Sequence, residues 1–282
     1  MDAYKLLGNL GCSLIPKTSG AAARDRIIYY LLKYPMTPIS GDELMVVAGI
    51  GEWARRVREL RVQFGWPIIS GSAAKDMAEE GELDIAGVDA GTMKPDDYVL
   101  ASNEQDRDAA HRWHIANDTR RRSGGVRDKL LAFMRANVGK PVSGEELRYV
   151  AKGRTEWARR VRELRTEQGW PVVTRNTGRP DMAIGTYLLE SDRQTPEHDR
   201  KIPDPVRVTV LKRDKYTCRV DRWTQEQWNR ADPRHLELHH VQPHADKGSN
   251  EADNLVTLCN VCHDDVHRRL KHNETVRFAP AP

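Results

Sequence analysis

The chain has 282 residues, of which 39% are hydrophobic and 30% charged, a balance typical of a folded protein in water with two or three domains. Its 45 basic and 41 acidic residues give a formal charge of only +4, so the total charge does not by itself indicate a polyanionic partner. No apolar run approaches the roughly 20 residues that cross a bilayer, and the first residues lack the pattern of a signal peptide. We therefore expect a cytoplasmic protein without a membrane partner.

The chain has four cysteines, which are Cys12, Cys218, Cys259 and Cys262. Four are too few for a disulfide scaffold in a chain of this length. The last three lie among histidines near the carboxyl end, and this arrangement predicts metal binding rather than disulfide bonding. The sequence assigns no role to Cys12.

An internal repeat organises the first two thirds of the chain. Segments 52–70 and 156–174 both begin with EWARRVRELR, ten identical residues, and continue with Gly-Trp-Pro in register. The similarity extends upstream, where SGDEL matches SGEEL, and downstream, where DYVLAS resembles TYLLES. The first copy carries the extra residues AEEGELDIAGVDAGTMKPDD. This pattern predicts a duplicated domain, with one copy at 1–102 and the other at 123–191.

Each copy has the pattern of three helices followed by two strands. The first helix has an apolar periodicity, and the second opens on Ser40 or Ser143, which suits an N-cap. The third helix, EWARRVRELR, places Trp53, Val57 and Leu60 on one face for burial, which favours core tryptophans over base-stacking ones. The segments PIIS and YVLA predict two short strands, which form a hairpin with a loop between them.

Three helices and a two-stranded hairpin resemble the winged-helix fold in each copy. The resemblance implies that the third helix enters the major groove of double-stranded DNA while the hairpin contacts the backbone. A solvated helix held by i,i+4 ion pairs, or a protein-binding surface, would have the same pattern. The candidate DNA contacts are the arginines of both third helices, namely Arg55, Arg56, Arg58, Arg61, Arg159, Arg160, Arg162 and Arg165.

Two polar segments separate the predicted domains. Residues 103–122 are polar and basic, and we interpret them as a linker that can be partly helical. Residues 192–205 are rich in charge and proline and predict a second linker. A third domain is expected at 206–272, followed by a tail at 273–282.

The third domain contains the stretch TLCNVCHDDVH. Its C-x-x-C-H pattern occurs at sites of covalent haem attachment and also in half of a zinc site followed by a histidine. Haem attachment of this type usually follows export, which the start of the chain does not predict. The pair His239-His240 and the later Asn254 precede the stretch, and His263 and His267 lie one turn apart on one helical face.

The pattern HH-x13-N-L-x-x-L-C-x-x-C-H-x3-H resembles the HNH endonuclease family, the ββα-metal nucleases, in its zinc-stapled branch. The resemblance implies an α+β, multidomain protein: two tandem winged-helix domains followed by a ββα-metal (HNH) nuclease domain, without haem. His239, His263 and His267 match the ligands of a divalent metal (Mg, Mn, Ni or Co). An alternative role for His263 is to support a metal ligand without binding the metal itself. His240 matches the general base, and Asn254 matches the asparagine that braces the loop and orients that base.

The zinc-stapled branch has two C-x-x-C pairs, and this chain departs from that pattern. In place of the first pair stands CRVD, in which Cys218 is followed by Asp221 instead of a second cysteine. Because aspartate can bind zinc, we expect Cys218, Asp221, Cys259 and Cys262 to hold a structural zinc ion. His235 is an alternative fourth ligand, and loss of the staple is a further alternative.

Together these patterns predict a metal-dependent DNA endonuclease that selects its site through winged helices and hydrolyses phosphodiester bonds in its HNH domain. Since one HNH centre cuts one strand, a double-strand break implies a homodimer or two successive cuts. The architecture suits a restriction enzyme, including one that recognises a modified base, by analogy alone. The alternatives are a nicking or homing endonuclease of a mobile element and a DNA-binding regulator with a structural zinc module.

Overall fold

The computed structural model describes residues 22–195, 199, 201–229, 231–232, 234–243, 248–272 and 274–282. Cys12 lies outside the described residues. The chain divides into two compact units, and the second sequence repeat is shared between them. The first unit takes described residues within Met1–Ala136, Val142–Arg159 and Asp181–Tyr187, and the second takes those within Asn137–Pro141, Arg160–Pro180 and Leu188–Pro282.

The first repeat folds into the three predicted helices around one apolar core. Ser40 caps the second helix, because its hydroxyl accepts a hydrogen bond from the N–H of Glu43. Val57 and Leu60 of the third helix are buried, and Trp53 packs against the same core, as their spacing predicts. The elements are α1 (Ala23–Lys33), α2 (Gly41–Ala48), α3 (Trp53–Val62), β1 (Ile68–Ser70), α4 (Gly71–Glu79) and β2 (Tyr98–Leu100).

The connection between β1 and β2 differs from the predicted loop. The strands pair antiparallel, with Ile69 opposite Val99, but α4 and a 3-10 turn lie between them in the chain. The hydroxyl of Ser70 caps α4. The corresponding residues of the second repeat, 175–185, form turns and bends instead. The physical reason is Pro180, which has no N–H to donate and disfavours a helix at this position.

The predicted linker at 103–122 contains a packed helix, α5 (Ala109–Arg121). Trp113 and Arg112 on this helix are 8% and 5% exposed. The guanidinium of Arg112 donates to Glu146 Oε1 at 2.9 Å and also pairs with Asp106. Much of this segment is therefore a folded part of the first unit.

The second repeat has the same three helices and one additional short strand. Ser143 caps its second helix and forms a capping box with Glu146. The last strand lies between the other two in a three-stranded sheet. The winged-helix assignment stays a prediction in both repeats. The elements are α6 (Val126–Arg135), β3 (Val142–Ser143), α7 (Gly144–Val150), α8 (Trp157–Thr166), β4 (Val172–Thr174) and β5 (Thr186–Leu189).

The carboxyl-terminal part of the second unit has the order strand, strand, helix. After α9 (Asp204–Arg213), β6 (Leu236–His240) pairs antiparallel with β7 (Leu255–Cys259), and α10 (Asn260–Lys271) follows at once. Every residue of both strands is buried, so both faces of this small sheet are covered. None of the described helices is both long and apolar enough to cross a membrane.

We expect Arg112→Ala to destabilise the first unit by about 3 to 5 kcal/mol, because it leaves a buried carboxylate without its partner. That carboxylate belongs to Glu146, whose side chain is 1% exposed. The exposed Arg55 provides the control, since Arg55→Ala should change the free energy of unfolding by less than about 0.5 kcal/mol. Urea unfolding followed by tryptophan fluorescence measures both variants, and equal midpoints would contradict the importance of the buried pair.

Candidate metal centres of the second unit

The three histidines predicted as metal ligands come together between β6 and α10. His239 lies near the end of β6, while His263 and His267 lie one turn apart on α10. The ring centroid of His239 is 5.3 Å from that of His263 and 4.8 Å from that of His267. The Nε2 atoms of His263 and His267 are 3.0 Å apart. One strand and one helix thus direct three imidazoles to one point.

Asp199, which no sequence pattern indicates, lies at the centre of this cluster. Its Oδ2 is 2.8 Å from Nε2 of both His263 and His267 and 3.5 Å from Nδ1 of His239. Its Oδ1 is 2.8 Å from Nδ1 of His240. Asp199 comes from the charged segment that the sequence predicts as a linker, and an isolated acid in such a segment has no spacing that reveals its partners.

Glu237 holds His263 from the opposite side. One of its oxygens is hydrogen bonded to Nδ1 of His263, and the other is 3.1 Å from Nε2 of His235. A carboxylate in this position fixes the tautomer of a metal-binding histidine and turns the other ring nitrogen toward the metal. Burial favours the neutral form of Glu237, but the hydrogen bonds to His235 and His263 hold its pKa well below the ordinary range.

The charges of the cluster reinforce one another. Burial favours a neutral Asp199, yet the hydrogen bonds from the surrounding histidines hold its pKa far below the ordinary value. Burial opposes a charged His263, but its hydrogen bonds to Asp199 and Glu237 raise its pKa to about 9. Two ionised carboxylates at this depth require positive charge close to them, either from protonated imidazoles or from a bound cation.

The cluster has the donor set of a divalent metal site. Asp199, His239, His263 and His267 each offer one ligand atom, and these atoms lie within 4.8 Å of one another. Nδ1 of His239 is buried without a hydrogen-bond partner, which is costly unless a cation takes its lone pair. Three imidazole nitrogens suit Mn, Co, Ni or Zn, and Mg also fits when water completes its shell.

The predicted general base, His240, is held at both ring nitrogens. Nδ1 is 2.8 Å from Asp199 Oδ1, and Nε2 is 2.8 Å from Oδ1 of Asn250. The Asn250 amide is oriented by donating from Nδ2 to the carbonyl of Lys201. Burial lowers the pKa of His240, but these two hydrogen bonds outweigh it and raise the pKa above its ordinary value. Asn250 is a second contact that the sequence did not predict.

The predicted brace, Asn254, bonds to the loop that follows β6. Its Oδ1 accepts from the N–H of Gln242 at 2.8 Å. Its Nδ2 donates to the carbonyls of Gln242 at 3.0 Å and Ser249 at 2.9 Å. These bonds tie Asn254 to the loop, and its predicted role stays a prediction, because the amide bonded to the His240 ring is that of Asn250.

A second cluster contains Cys218, Asp221, Cys259 and Cys262, whose ligand atoms lie within 4.8 Å of one another. The three cysteines are buried and form no disulfide among the described residues. The hydrogen bond from Cys259 lowers the pKa of Cys218 to about 6, which favours the thiolate that binds metal. The four predicted ligands thus form a candidate metal site, and its assignment to zinc stays a prediction.

The alternative zinc ligand, His235, faces Glu237 rather than the cysteines. Asp221 lies 3.5 Å from Sγ of Cys259 and is oriented by the N–H of Trp223 and by Arg234. Of the two candidates for the fourth position, Asp221 is therefore the one that lies with the cysteines.

The eight arginines predicted to contact DNA fall into two groups. Arg61 pairs with Glu145 at 2.5 Å, and Arg165 pairs with Asp204 at 2.7 Å. The side chains of both are shielded, at 17% and 4% exposed, so these two arginines stabilise the fold. The prediction of DNA contact is kept for the other six, which are Arg55, Arg56, Arg58, Arg159, Arg160 and Arg162.

We expect the purified chain to retain one zinc ion in the cysteine cluster, and Cys262→Ser to lose it, because a thiolate ligand is removed. Asp221→Cys should keep the ion, since it completes a four-cysteine shell, and His235→Ala should keep it as well. Metal analysis by mass spectrometry after desalting measures all three variants. Zinc loss from the His235 variant would instead assign the fourth position to that histidine.

Comparison with known families gives matches over both parts of the chain. The family model described as KpnI N-terminal domain matches residues 24–101 and 127–190. The family model described as HNH endonuclease matches residues 226–269. The first two matches coincide with the internal repeat and together cover about half of the chain. No curated protein and no solved structure gives a significant match. The chain therefore belongs to the KpnI N-terminal domain family, a family of restriction enzymes, and with its HNH endonuclease domain it is a nuclease that resembles HNH restriction endonucleases.

Proposed function

We propose that the chain is a metal-dependent DNA endonuclease that binds double-stranded DNA through its two repeats and hydrolyses phosphodiester bonds in its HNH domain. The supporting observation is that His239, His263 and His267 converge on one point with His240 beside them. A regulator with a structural zinc module would need only the cysteine cluster. A second buried cluster of histidines and carboxylates favours catalysis, because such a cluster is costly for stability alone.

His239, His263 and His267 hold the divalent metal in this proposal, whether Mg, Mn, Ni or Co. When bound by these residues, the ion would supply Lewis-acid chemistry for charge on the scissile phosphate and on the departing 3′ oxygen. Glu237 contributes by bonding Nδ1 of His263, so that Nε2 of this ring is directed to the centre.

His240 acts as the general base. Asp199 accepts a hydrogen bond from Nδ1, as a carboxylate does in a catalytic triad, and this leaves Nε2 to take a proton from the attacking water. Oδ1 of Asn250 lies 2.8 Å from Nε2 in the structure, so the attacking water has to displace this amide oxygen to reach the base. DNA approaches from the side of Asn250 and His267, which are partly exposed, whereas the other histidine rings of the cluster are buried.

The repeats supply affinity for DNA and the choice of site. The side chain of Arg55 is 69% exposed, and its ion pairs with Glu52 and Glu59 lie at the surface. Such pairs contribute only about 0 to 1 kcal/mol, so a phosphate can compete for the guanidinium. Arg58 and Arg159 are also exposed on the third helices of the two repeats.

A double-strand break needs two cleavage events, and we propose that a homodimer provides two centres. Supercoiled plasmid that passes directly to linear DNA supports paired centres, whereas accumulating nicked circles favour the nicking alternative. The proposal extends to recognition of a modified base, which digestion of methylated and unmethylated DNA side by side tests.

Replacing His240 by alanine should lower the rate of DNA cleavage about 100-fold to 10,000-fold, the range expected for loss of a general base, and leave DNA binding unchanged. His272, which is exposed just after α10, provides the control, since His272→Ala should cut at the rate of the unaltered chain. Plasmid cleavage in Mn²⁺ and a mobility-shift assay measure the two properties. Undiminished cutting by the His240 variant would show that the base is assigned wrongly.

Replacing Arg58 by glutamate should weaken DNA binding and reduce the slope of log affinity against log salt by about 1 for a lost phosphate contact. Arg107→Glu makes the same charge change at an exposed position outside α3 and should have a smaller effect. Fluorescence anisotropy with labelled duplex DNA over a salt series measures both. If the two variants lose equal affinity, overall charge rather than the third helix governs binding.

A further inference from the structure

We propose that Asp199 is a fourth protein ligand of the nuclease metal, so that the ion is held by three imidazole nitrogens and one carboxylate oxygen. This inference rests on the proposed nuclease function and extends it. Asp199 lies before the HNH match at 226–269, so the HNH pattern does not include it.

The spacing around Asp199 Oδ2 fits atoms that share one ion. The oxygen is 2.8 Å from Nε2 of His263 and of His267, and 3.5 Å from Nδ1 of His239. Ligand atoms bound at about 2.1 Å lie about 3.0 Å apart in an octahedral shell and about 3.4 Å apart in a tetrahedral one. The separation of 3.0 Å between the two Nε2 atoms on α10 fits the same spacing.

Neutral rings do not satisfy this cluster, which needs added positive charge from protonated imidazoles or from a bound cation. His263 faces Glu237 through Nδ1 and Asp199 through Nε2, yet a neutral imidazole has a single N–H. Nε2 of His267 reaches the same Asp199 oxygen and lies 3.0 Å from Nε2 of His263, so N–H groups on both nitrogens would crowd each other. A divalent ion would remove this crowding, because it accepts a lone pair from each of these nitrogens and from the Asp199 oxygen.

The carboxylate is anchored in a position that suits a ligand. Its side chain is fully buried, and Oδ1 accepts from both the backbone N–H and Nδ1 of His240, at 3.1 Å and 2.8 Å. These two bonds tie Asp199 to the end of β6 and leave Oδ2 directed at the three histidines. A divalent charge also balances the two carboxylates, Asp199 and Glu237, that are buried here.

An added carboxylate also bears on the class of ion. A carboxylate oxygen is a hard ligand, so a site that contains one suits Mg and Mn better than a site made of imidazoles alone. The same residue joins the metal to the base, since Oδ2 faces the ion and Oδ1 orients the His240 ring. A change at Asp199 should therefore weaken metal binding directly. It should also slow cleavage, both through the weaker metal binding and through the loss of orientation of the His240 ring.

The test uses Mn²⁺ alone as the probe, because thiolate ligands select softer metals and the cysteine cluster does not compete for it. The full chain with zinc in that cluster is titrated with Mn²⁺, and the unbound ion is measured by electron paramagnetic resonance. Asp199→Ala and the isosteric Asp199→Asn should bind Mn²⁺ at least about tenfold more weakly than the unaltered chain. Asp192→Asn, an exposed acid of the same segment, should bind Mn²⁺ unchanged.

Undiminished Mn²⁺ binding in the Asp199 variants, with circular dichroism showing that they fold, overturns the proposal. Faster DNA cleavage by such a variant would also overturn it, because the carboxylate would then occupy the place of the substrate phosphate. The variant His267→Ala distinguishes failure of the Asp199 proposal from failure of the proposed nuclease function. If this variant loses Mn²⁺ while the Asp199 variants keep it, only the assignment of the fourth ligand is wrong. If all of these variants keep Mn²⁺, the assignment of the nuclease metal centre is wrong as well.

Discussion

The burial of two ionised carboxylates among histidines is the constraint on which the carboxyl-terminal unit depends. Asp199 and Glu237 face His263 from opposite sides, and neither is exposed enough for water to stabilise its charge. Isolated carboxylates at such depth would be strongly unfavourable, so the fold needs positive charge beside them, from the surrounding imidazoles or from a bound ion. Folding and the candidate active centre are therefore coupled here.

The two metal clusters are linked by one short segment. Cys259 ends β7, Cys262 lies in the first turn of α10, and His263 follows it directly. A zinc ion in the cysteine cluster would fix the start of the helix that presents His263 and His267. The C-x-x-C-H stretch thus contributes to both clusters, since Cys259 and Cys262 belong to the cysteine cluster and His263 to the histidine cluster.

Equivalent arginines at the ends of the two third helices have become structural. Arg61 pairs with Glu145, and Arg165 pairs with Asp204. In the sequence, each carboxylate lies outside the repeat that contains its arginine. A guanidinium matches a carboxylate at two donors, which makes arginine suited to such shielded pairs. The same helix pattern therefore contains fold-stabilising arginines at its end and exposed arginines such as Arg55 near its start.

The sequence by itself determined the features that depend on neighbours in the chain. The repeat, the apolar stripe with Val57, and the one-turn spacing of His263 and His267 follow from helical periodicity. Only the tertiary structure decided that Asp199 and Asn250 contact His240, that a helix fills the predicted linker, and that two arginines are shielded. These features depend on residues far apart in sequence, because burial and charge pairing are set by the whole packed unit, and no local spacing encodes which distant side chain will lie opposite.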